Sequence, residues 1–126
     1  MAVGNYSSDF YVVPGVRLAG IPCGIKGANQ LDLVLFEFAP GSITAGIFTQ
    51  SHFAAAPVLV SREHLDQSDS RYFLINSGNA NAATGDEGKS DAATCCKALS
   101  QRTGVRPDEV IPFSTGVIGE KLQVSN

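Results

Sequence analysis

The sequence has few of the residues on which most recognisable sites depend. Only three of its 126 residues are cysteine and two are histidine, and no serine lies in a G-x-S-x-G segment. Nine basic residues are scattered along a chain of net charge −3, so no basic stripe marks a nucleic-acid surface. No apolar run approaches the roughly 18 residues of a membrane-spanning helix. These absences argue against nucleic-acid and membrane partners.

The cysteines and histidines give no sign of a metal or redox site. Cys23, Cys95 and Cys96 are an odd number, two of them adjacent, and they fit no CxxC template. Free thiols in a reducing compartment are the simplest interpretation. His52 and His64 have no carboxylate or thiol at ligand spacing. We therefore expect no metal site.

What the chain does contain is typical of one globular domain. Hydrophobic residues make up 44% of it, charged residues 17%, and glycine occurs 13 times. The segment Met1–Asp9 lacks the positive charge and apolar core of a secretory signal. A cytoplasmic location is the expectation that follows.

Apolar patterning predicts a strand-rich chain with one clear helix. The predicted strands are Leu31–Phe38, Ile43–Thr49, Pro57–Val60, Arg71–Ile75 and Val110–Phe113. The first two would form a hairpin across Pro40–Ser42, and Ser61 would cap a short helix over Arg62–Asp66. A longer helix is predicted over Gly88–Thr103, where Ala92, Cys95, Cys96 and Leu99 form one apolar stripe. The fold class is therefore α+β, with a mixed β-sheet and helices.

Ala83–Ser90 resembles a phosphate-binding loop only superficially. Its Gly-Lys-Ser ending matches, but Ala83 stands where the pattern requires glycine, and acidic Asp86 and Glu87 would repel a phosphate. Lys89 and Ser90 are interpreted as residues of the first turn of the helix.

Two polar segments are candidate sites. In Ser114–Gly119, a hydroxyl residue beside a glycine at a strand end can direct an O–H and an unhindered backbone N–H at one point, as an oxyanion hole does. Asn76–Ala82 can form a loop that lines a ligand. The alternative for both is structural, with the side chains satisfying nearby backbone groups.

Six ordered segments together resemble the ornithine acetyltransferase family, also called glutamate N-acetyltransferases. They are Leu31-Asp32-Leu33, Ala45–Thr49, Ala55–Val58, Ile75–Gly85, Asp91-Ala92 and Phe113–Gly119. The resemblance implies an α/β/β/α layered sandwich of the self-processing, N-terminal-nucleophile-like type. It also implies acetyl transfer from N-acetylornithine to glutamate in arginine biosynthesis, with acetyl-CoA as a donor in some members. It implies no metal and no organic cofactor.

The resemblance implies an oxyanion hole at Thr115 and Gly116 in this chain. The family's nucleophile is the N-terminal threonine of a β chain, freed when the precursor cleaves itself at an Ala-Thr bond, and α and β chains form a heterotetramer. Ala83-Thr84 lies in the Asn-Gly segment and Ala93-Thr94 inside the predicted helix, so neither bond is expected to be the cleavage site.

The expectation is thus that residues 1–126 are a single N-terminal segment of an α chain, incomplete without the rest of the α chain and the β chain, and inactive alone. Two alternatives stay open. One is a self-processing aminopeptidase-type hydrolase of similar architecture, which would use an N-terminal serine. The other is a non-catalytic binding module.

Overall fold

The structure, a computed structural model, describes residues 11–27 and 29–125. Two strands come first in this part of the chain, and helices and strands alternate after them. The segment Met1–Asp9 lies outside these residues. The elements are β1 (Val16–Ile21), β2 (Leu33–Phe38), α1 (Ala56–Leu65), β3 (Tyr72–Asn79), α2 (Gly85–Thr103), a 3-10 turn (Pro107–Glu109) and β4 (Val110–Val117). The α+β prediction is confirmed.

The strands form one mixed sheet in the order β1-β2-β3-β4. The first three are antiparallel neighbours, whereas β3 and β4 are parallel. A parallel pair needs a crossover connection, and α2 supplies it. The crossover therefore brings the carboxyl ends of β3 and β4 to the same edge of the sheet.

The core lies between the helices and one face of the sheet. Its buried residues are Val60, Tyr72, Ala92, Cys96 and Val110. Burial raises the pKa of the Cys96 thiol to about 12, so this thiol is an inert apolar group of the core. All three cysteines are free thiols, as predicted.

The long helix α2 agrees with the apolar stripe that predicted it. α2 begins three residues before the predicted start, and Gly104 ends it in the left-handed conformation at φ 78°. No helix in the described part of the chain is long and apolar enough to cross a membrane.

Two strand predictions were wrong. Residues 43–49 are irregular, and β2 pairs with β1 and β3, so the predicted hairpin does not exist. Side chains hold this segment instead: Arg62 Nη2 donates to the carbonyl of Thr49 at 2.7 Å, and the guanidinium lies 5.6 Å from the centre of the Phe48 ring. These contacts fasten the segment to α1 instead of to β2.

Pro57–Val60, predicted as a strand, lies in the first turns of α1. A short apolar run fits a strand or a buried helix equally, and proline suits the first turn of a helix. Ser61 is in mid-helix and is not a cap. Its hydroxyl donates to the carbonyl oxygen of Pro112 at 2.9 Å.

The helix α1 lies along the outer edge of β4. Besides the bond from Ser61, the Nδ1 of His64 donates to the carbonyl of Val110 at 2.7 Å. Two side chains of α1 therefore occupy backbone acceptors at the start of β4, which among the described residues has only β3 as a neighbour in the sheet.

Candidate active site

The two polar segments singled out in the sequence lie side by side. Both were predicted to follow their strands, but β3 and β4 extend into them, to Asn79 and Val117. The parallel register sets three pairs of residues opposite one another: Asn76 and Ser114, Ser77 and Thr115, and Gly78 and Gly116. The predicted site residues Thr115 and Gly116 are thus in the last three residues of β4, beside the Asn-Gly segment.

Gly78 and Gly116 let the two backbones approach closely. Gly116 has φ +136°, and a Cβ there would lie 2.5 Å from the carbonyl oxygen of Gly78 and 2.6 Å from the nitrogen of Asn79. Gly78 has φ +111°. The register shifts at this point, with Asn79 opposite both Thr115 and Val117, as in a β-bulge. Only glycine fits at position 116 without moving β3.

The two neighbouring hydroxyls differ in what they contact. Ser114 Oγ donates to Asn76 Oδ1 at 2.5 Å, and Asn76 Nδ2 donates to the carbonyl of Asn79 at 2.9 Å. Thr115 is exposed, and its hydroxyl makes no hydrogen bond within residues 11–27 and 29–125. Of the two, Thr115 alone is available to a ligand.

The buried asparagines Asn79 and Asn81 hold the segments that follow both strands. Asn79 Nδ2 donates to the carbonyls of Glu120 and Lys121, both at 3.1 Å, and its Oδ1 accepts from the N–H of Asn81 at 2.7 Å. Asn81 Nδ2 donates to the carbonyl of Gly88 in α2 at 2.8 Å. For these two amides the structure favours the structural role over a ligand-lining one.

The loop between β1 and β2 packs against Gly78. Asp32 accepts the N–H groups of Cys23 at 2.6 Å and of Lys26 at 2.9 Å. A Cβ on Gly78 would lie 2.6 Å from Cγ2 of Ile25 and 2.9 Å from Cγ of Lys26. Asp32 therefore fixes the loop whose side chains lie on Gly78.

The sequence interpretation missed this role of Asp32. The predicted strand Leu31–Phe38 includes Asp32, but Asp32 is 1% exposed and precedes β2. The available signal was a lone acidic residue between leucines, directly after a glycine-containing loop. Such a carboxylate is well placed to accept the N–H groups of that loop.

The Asp32 carboxylate should make stability depend on pH. The N–H of Cys23, then that of Lys26, holds the pKa of Asp32 well below its ordinary value of 3.8. The stabilisation is therefore complete above pH 3.8 and is lost as the pH falls below it. We expect Asp32→Asn to lower the thermal unfolding midpoint by several degrees at pH 7 and by progressively less toward pH 3.

Asp69→Asn is the matched control, since the exposed Asp69 accepts a single backbone N–H, that of Thr44, at 3.3 Å. Its midpoint should follow that of the unmodified chain at each pH. A gap between Asp32→Asn and the unmodified chain that stays constant from pH 7 to pH 3 would contradict the assignment.

The segment that resembles a phosphate-binding loop is held by protein contacts. α2 begins at Gly85, so Lys89 and Ser90 lie in its second turn and not in the first as predicted. The ammonium of Lys89 pairs with Glu63 Oε1 at 2.5 Å. Within the described ranges, no group of three or more His, Cys, Asp or Glu residues could hold a metal ion.

Comparison with known proteins identifies the family. A model of the ArgJ family matches residues 17–126. The arginine biosynthesis bifunctional protein ArgJ of Methylococcus capsulatus is 50% identical over 117 residues, which cover 91% of this chain and 28% of that protein. The ArgJ protein of Psychrobacter arcticus is 44% identical over 124 residues, covering 97% of this chain and 30% of that protein. The chain thus spans less than a third of the length of these relatives.

Two crystal structures share the fold. The arginine biosynthesis bifunctional protein ArgJ of Bacillus halodurans aligns with TM-score 0.82 and 30% identity over 88% of this chain and 58% of that one. Ornithine acetyltransferase of Mycobacterium tuberculosis, complexed with ornithine, aligns with TM-score 0.78 and 40% identity over 88% and 61%. The fold is thus similar to that of an arginine biosynthesis bifunctional protein and of an ornithine acetyltransferase. The chain belongs to the ArgJ family.

Proposed function

We propose that this chain is the N-terminal part of the α chain of an ornithine acetyltransferase, which moves an acetyl group from N-acetylornithine to glutamate. The observation that carries the proposal is the exposed Thr115 hydroxyl beside the backbone of Gly116, within the segment that matches the ArgJ family. The M. tuberculosis relative, which is named for this activity and bound to ornithine, supports the choice of substrate.

In the proposed mechanism the chain stabilises charge on a substrate oxygen. The nucleophile is the N-terminal threonine of a β chain, whose amine takes the proton as the hydroxyl attacks the acetyl carbonyl carbon. The C–O bond forms, and the carbonyl oxygen becomes an oxyanion that accepts from the Thr115 O–H and the Gly116 N–H. Collapse of this intermediate breaks the C–N bond, and the threonine ammonium returns its proton to the departing amine of ornithine. The amine of glutamate then attacks the acetyl carbon of the acetyl-enzyme, the ester C–O bond breaks, and the threonine hydroxyl regains a proton as N-acetylglutamate is released.

The face of the sheet opposite to the core carries a cluster of aromatic side chains. This cluster supports the proposal of a layered sandwich with a β chain. Side chains alternate across a strand, so Phe73 lies on the face opposite to Tyr72 and the core. Phe38 and Phe113 contact Phe73 edge-on, with ring centres 4.6 Å and 5.0 Å away. Phe113 is 40% exposed and Leu18 on the same face 56%. A second sheet of the same protein would cover this apolar surface, in a heterotetramer of two α and two β chains.

The proposal can be tested on a protein in which this chain is extended by the remaining region of a relative. We define the joined protein as this chain followed by the region that lies after the matched segment in the M. capsulatus relative. It should cleave itself, give a fragment that begins with threonine, and transfer acetyl from N-acetylornithine to glutamate. The intact M. capsulatus protein is the positive control. An N-terminal serine with peptide hydrolysis and no transfer would favour the aminopeptidase alternative.

A further inference from the structure

The loop between β1 and β2 fills the space beside Gly78 that a side chain there would need. Gly78 has a positive φ of 111°, and a Cβ on it would lie 2.6 Å from Cγ2 of Ile25. The Cγ2 methyl of Ile25 therefore stands where any other residue at position 78 would place its side chain. Gly78 cannot move toward the loop without meeting this methyl group.

Gly78 is also packed against Gly116 in the neighbouring strand. A Cβ on Gly116 would lie 2.3 Å from the carbonyl carbon of Gly78, so the two backbones are in close contact. A continuous row of contacts therefore runs from Ile25 through Gly78 to Gly116. Closely packed groups have low compressibility and pass small displacements on to their neighbours. The position of Gly116 thus depends on the position of the Ile25 methyl group.

Asp32 holds both the loop and the strand that it contacts. Its buried carboxylate accepts two N–H groups of the loop, one on each side of Ile25. Its carbonyl oxygen accepts the N–H of Ser77 at 2.8 Å, and Ser77 lies opposite Thr115 in the parallel register. One residue therefore fixes the loop that carries Ile25 and the part of β3 that faces the two proposed oxyanion donors.

Ile25 lies on the face of the sheet opposite to the Thr115 side chain. Side chains alternate across a strand, so Thr115 projects from the face that carries Phe113, away from the core. Ile25 lines a groove on the core-side face together with Leu74 of β3, and neither Thr115 nor Gly116 lines that groove. Ile25 therefore acts on the oxyanion donors through the backbone of β3 and not by touching the substrate.

We propose that Ile25 is a positioning residue for acetyl transfer: its Cγ2 methyl keeps Gly78 against Gly116, so that the Gly116 N–H and the Thr115 hydroxyl meet one substrate oxygen. This role rests on the proposed function, since it concerns the alignment of the two oxyanion donors. Such donors must lie about 2.7–3.1 Å from the oxygen, and a displacement of about 1 Å can lower the rate about 10²-fold. The smaller shift that follows from loss of one methyl group should cost about tenfold.

Leucine and valine at position 25 separate this role from general packing. Ile25→Leu keeps the number of carbon atoms but has no methyl group on Cβ, whereas Ile25→Val keeps Cγ2 and loses only the terminal Cδ1. In the joined protein, Ile25→Leu should lower kcat about tenfold with little change in KM, and Ile25→Val should stay within about twofold of the unmodified protein. Initial rates over a range of N-acetylornithine concentrations give both constants. The two variants should lower the thermal unfolding midpoint by similar amounts, since each moves or removes one methyl group.

A double-mutant cycle tests whether the effect of Ile25 passes through the oxyanion donors. When Thr115→Ala has removed one donor, only the Gly116 N–H is left to be aligned. Ile25→Leu should then slow the Thr115→Ala protein by about threefold or less, compared with about tenfold when the hydroxyl is present. A loss of packing unrelated to the donors would slow both proteins by the same factor.

A measurement on the 126-residue chain needs no acetyl transfer. Ile25→Leu should move the amide NMR signal of Gly116 by several linewidths, whereas Ile25→Val should leave it near its original position. Because Gly116 is on the neighbouring strand, this movement reports a displacement that Gly78 passes on.

The possible results distinguish failure of this role from failure of the proposed function. A joined protein that transfers no acetyl, or whose rate Thr115→Ala leaves unchanged, would refute the proposed function and the positioning role with it. Three results would refute the positioning role alone in a protein that transfers acetyl through Thr115. They are equal kcat for Ile25→Leu and Ile25→Val, equal slowing by Ile25→Leu with and without the Thr115 hydroxyl, and an unmoved Gly116 signal in Ile25→Leu.

Discussion

In the joined protein, Thr115→Ala should lower the rate of acetyl transfer by about 10²- to 10³-fold. This is the usual effect of removing one donor to an oxyanion, because the charge on the oxygen develops only in the transition state. The fall should appear in kcat, with little change in KM. Thr115 is exposed and its hydroxyl has no hydrogen bond within the described ranges, so stability should change by less than about 0.5 kcal/mol.

Two neighbouring substitutions serve as controls. Thr115→Ser keeps a hydroxyl and should retain most of the rate. Ser114→Ala removes the bond from Oγ to Asn76 Oδ1, which ties β3 to β4, and should lower the unfolding midpoint more than Thr115→Ala does. Initial rates and thermal unfolding of each variant give the comparison. Unchanged turnover in a self-cleaved Thr115→Ala protein would remove Thr115 from the mechanism.

Gly116→Ala should destabilise the 126-residue chain by about 2–5 kcal/mol. Two effects combine, namely the positive φ of 136° and the overlap of a Cβ with the backbone of Gly78 and Asn79. Relief of the overlap would push β3 and β4 apart next to Thr115. Urea unfolding followed by far-ultraviolet circular dichroism measures the loss.

Gly119→Ala separates the two effects. Gly119 also has positive φ, +81°, but a Cβ there would meet nothing within 4 Å. Its substitution should therefore cost only about 1 kcal/mol, the penalty for alanine in a left-handed conformation. Equal losses for the two variants would mean that close approach of the strands at Gly116 is not what requires glycine there.

The elements that could be predicted are those whose local pattern and tertiary environment agree. α2 has an apolar stripe, acidic residues in its first turn and Gly104 at its end, and each signal is local. The apolar runs that became β2, β3 and β4 were equally clear. Residues 43–49 have the composition of a strand, but their position depends on Arg62 and α1, which follow later in the chain.

The candidate site could be predicted only in part. A hydroxyl beside glycine is visible in the sequence, and the family resemblance chose Thr115. Spacing alone could not show that Gly116 lies opposite Gly78, since the two are 38 positions apart and meet only through the parallel register. The role of Asp32 was hidden for a similar reason, because the apolar residues around it predict a strand, whereas its hydrogen-bond donors lie in the preceding loop.

The bonds from α1 to the first residues of β4 also affect self-association. An edge strand with free backbone groups is a template to which strands of other molecules can add. Here Ser61 and His64 occupy the carbonyls of Pro112 and Val110, and Pro112 has no N–H to offer. The first part of this edge is therefore blocked against intermolecular β-pairing, which leaves for strand addition the part that contains Thr115 and Gly116.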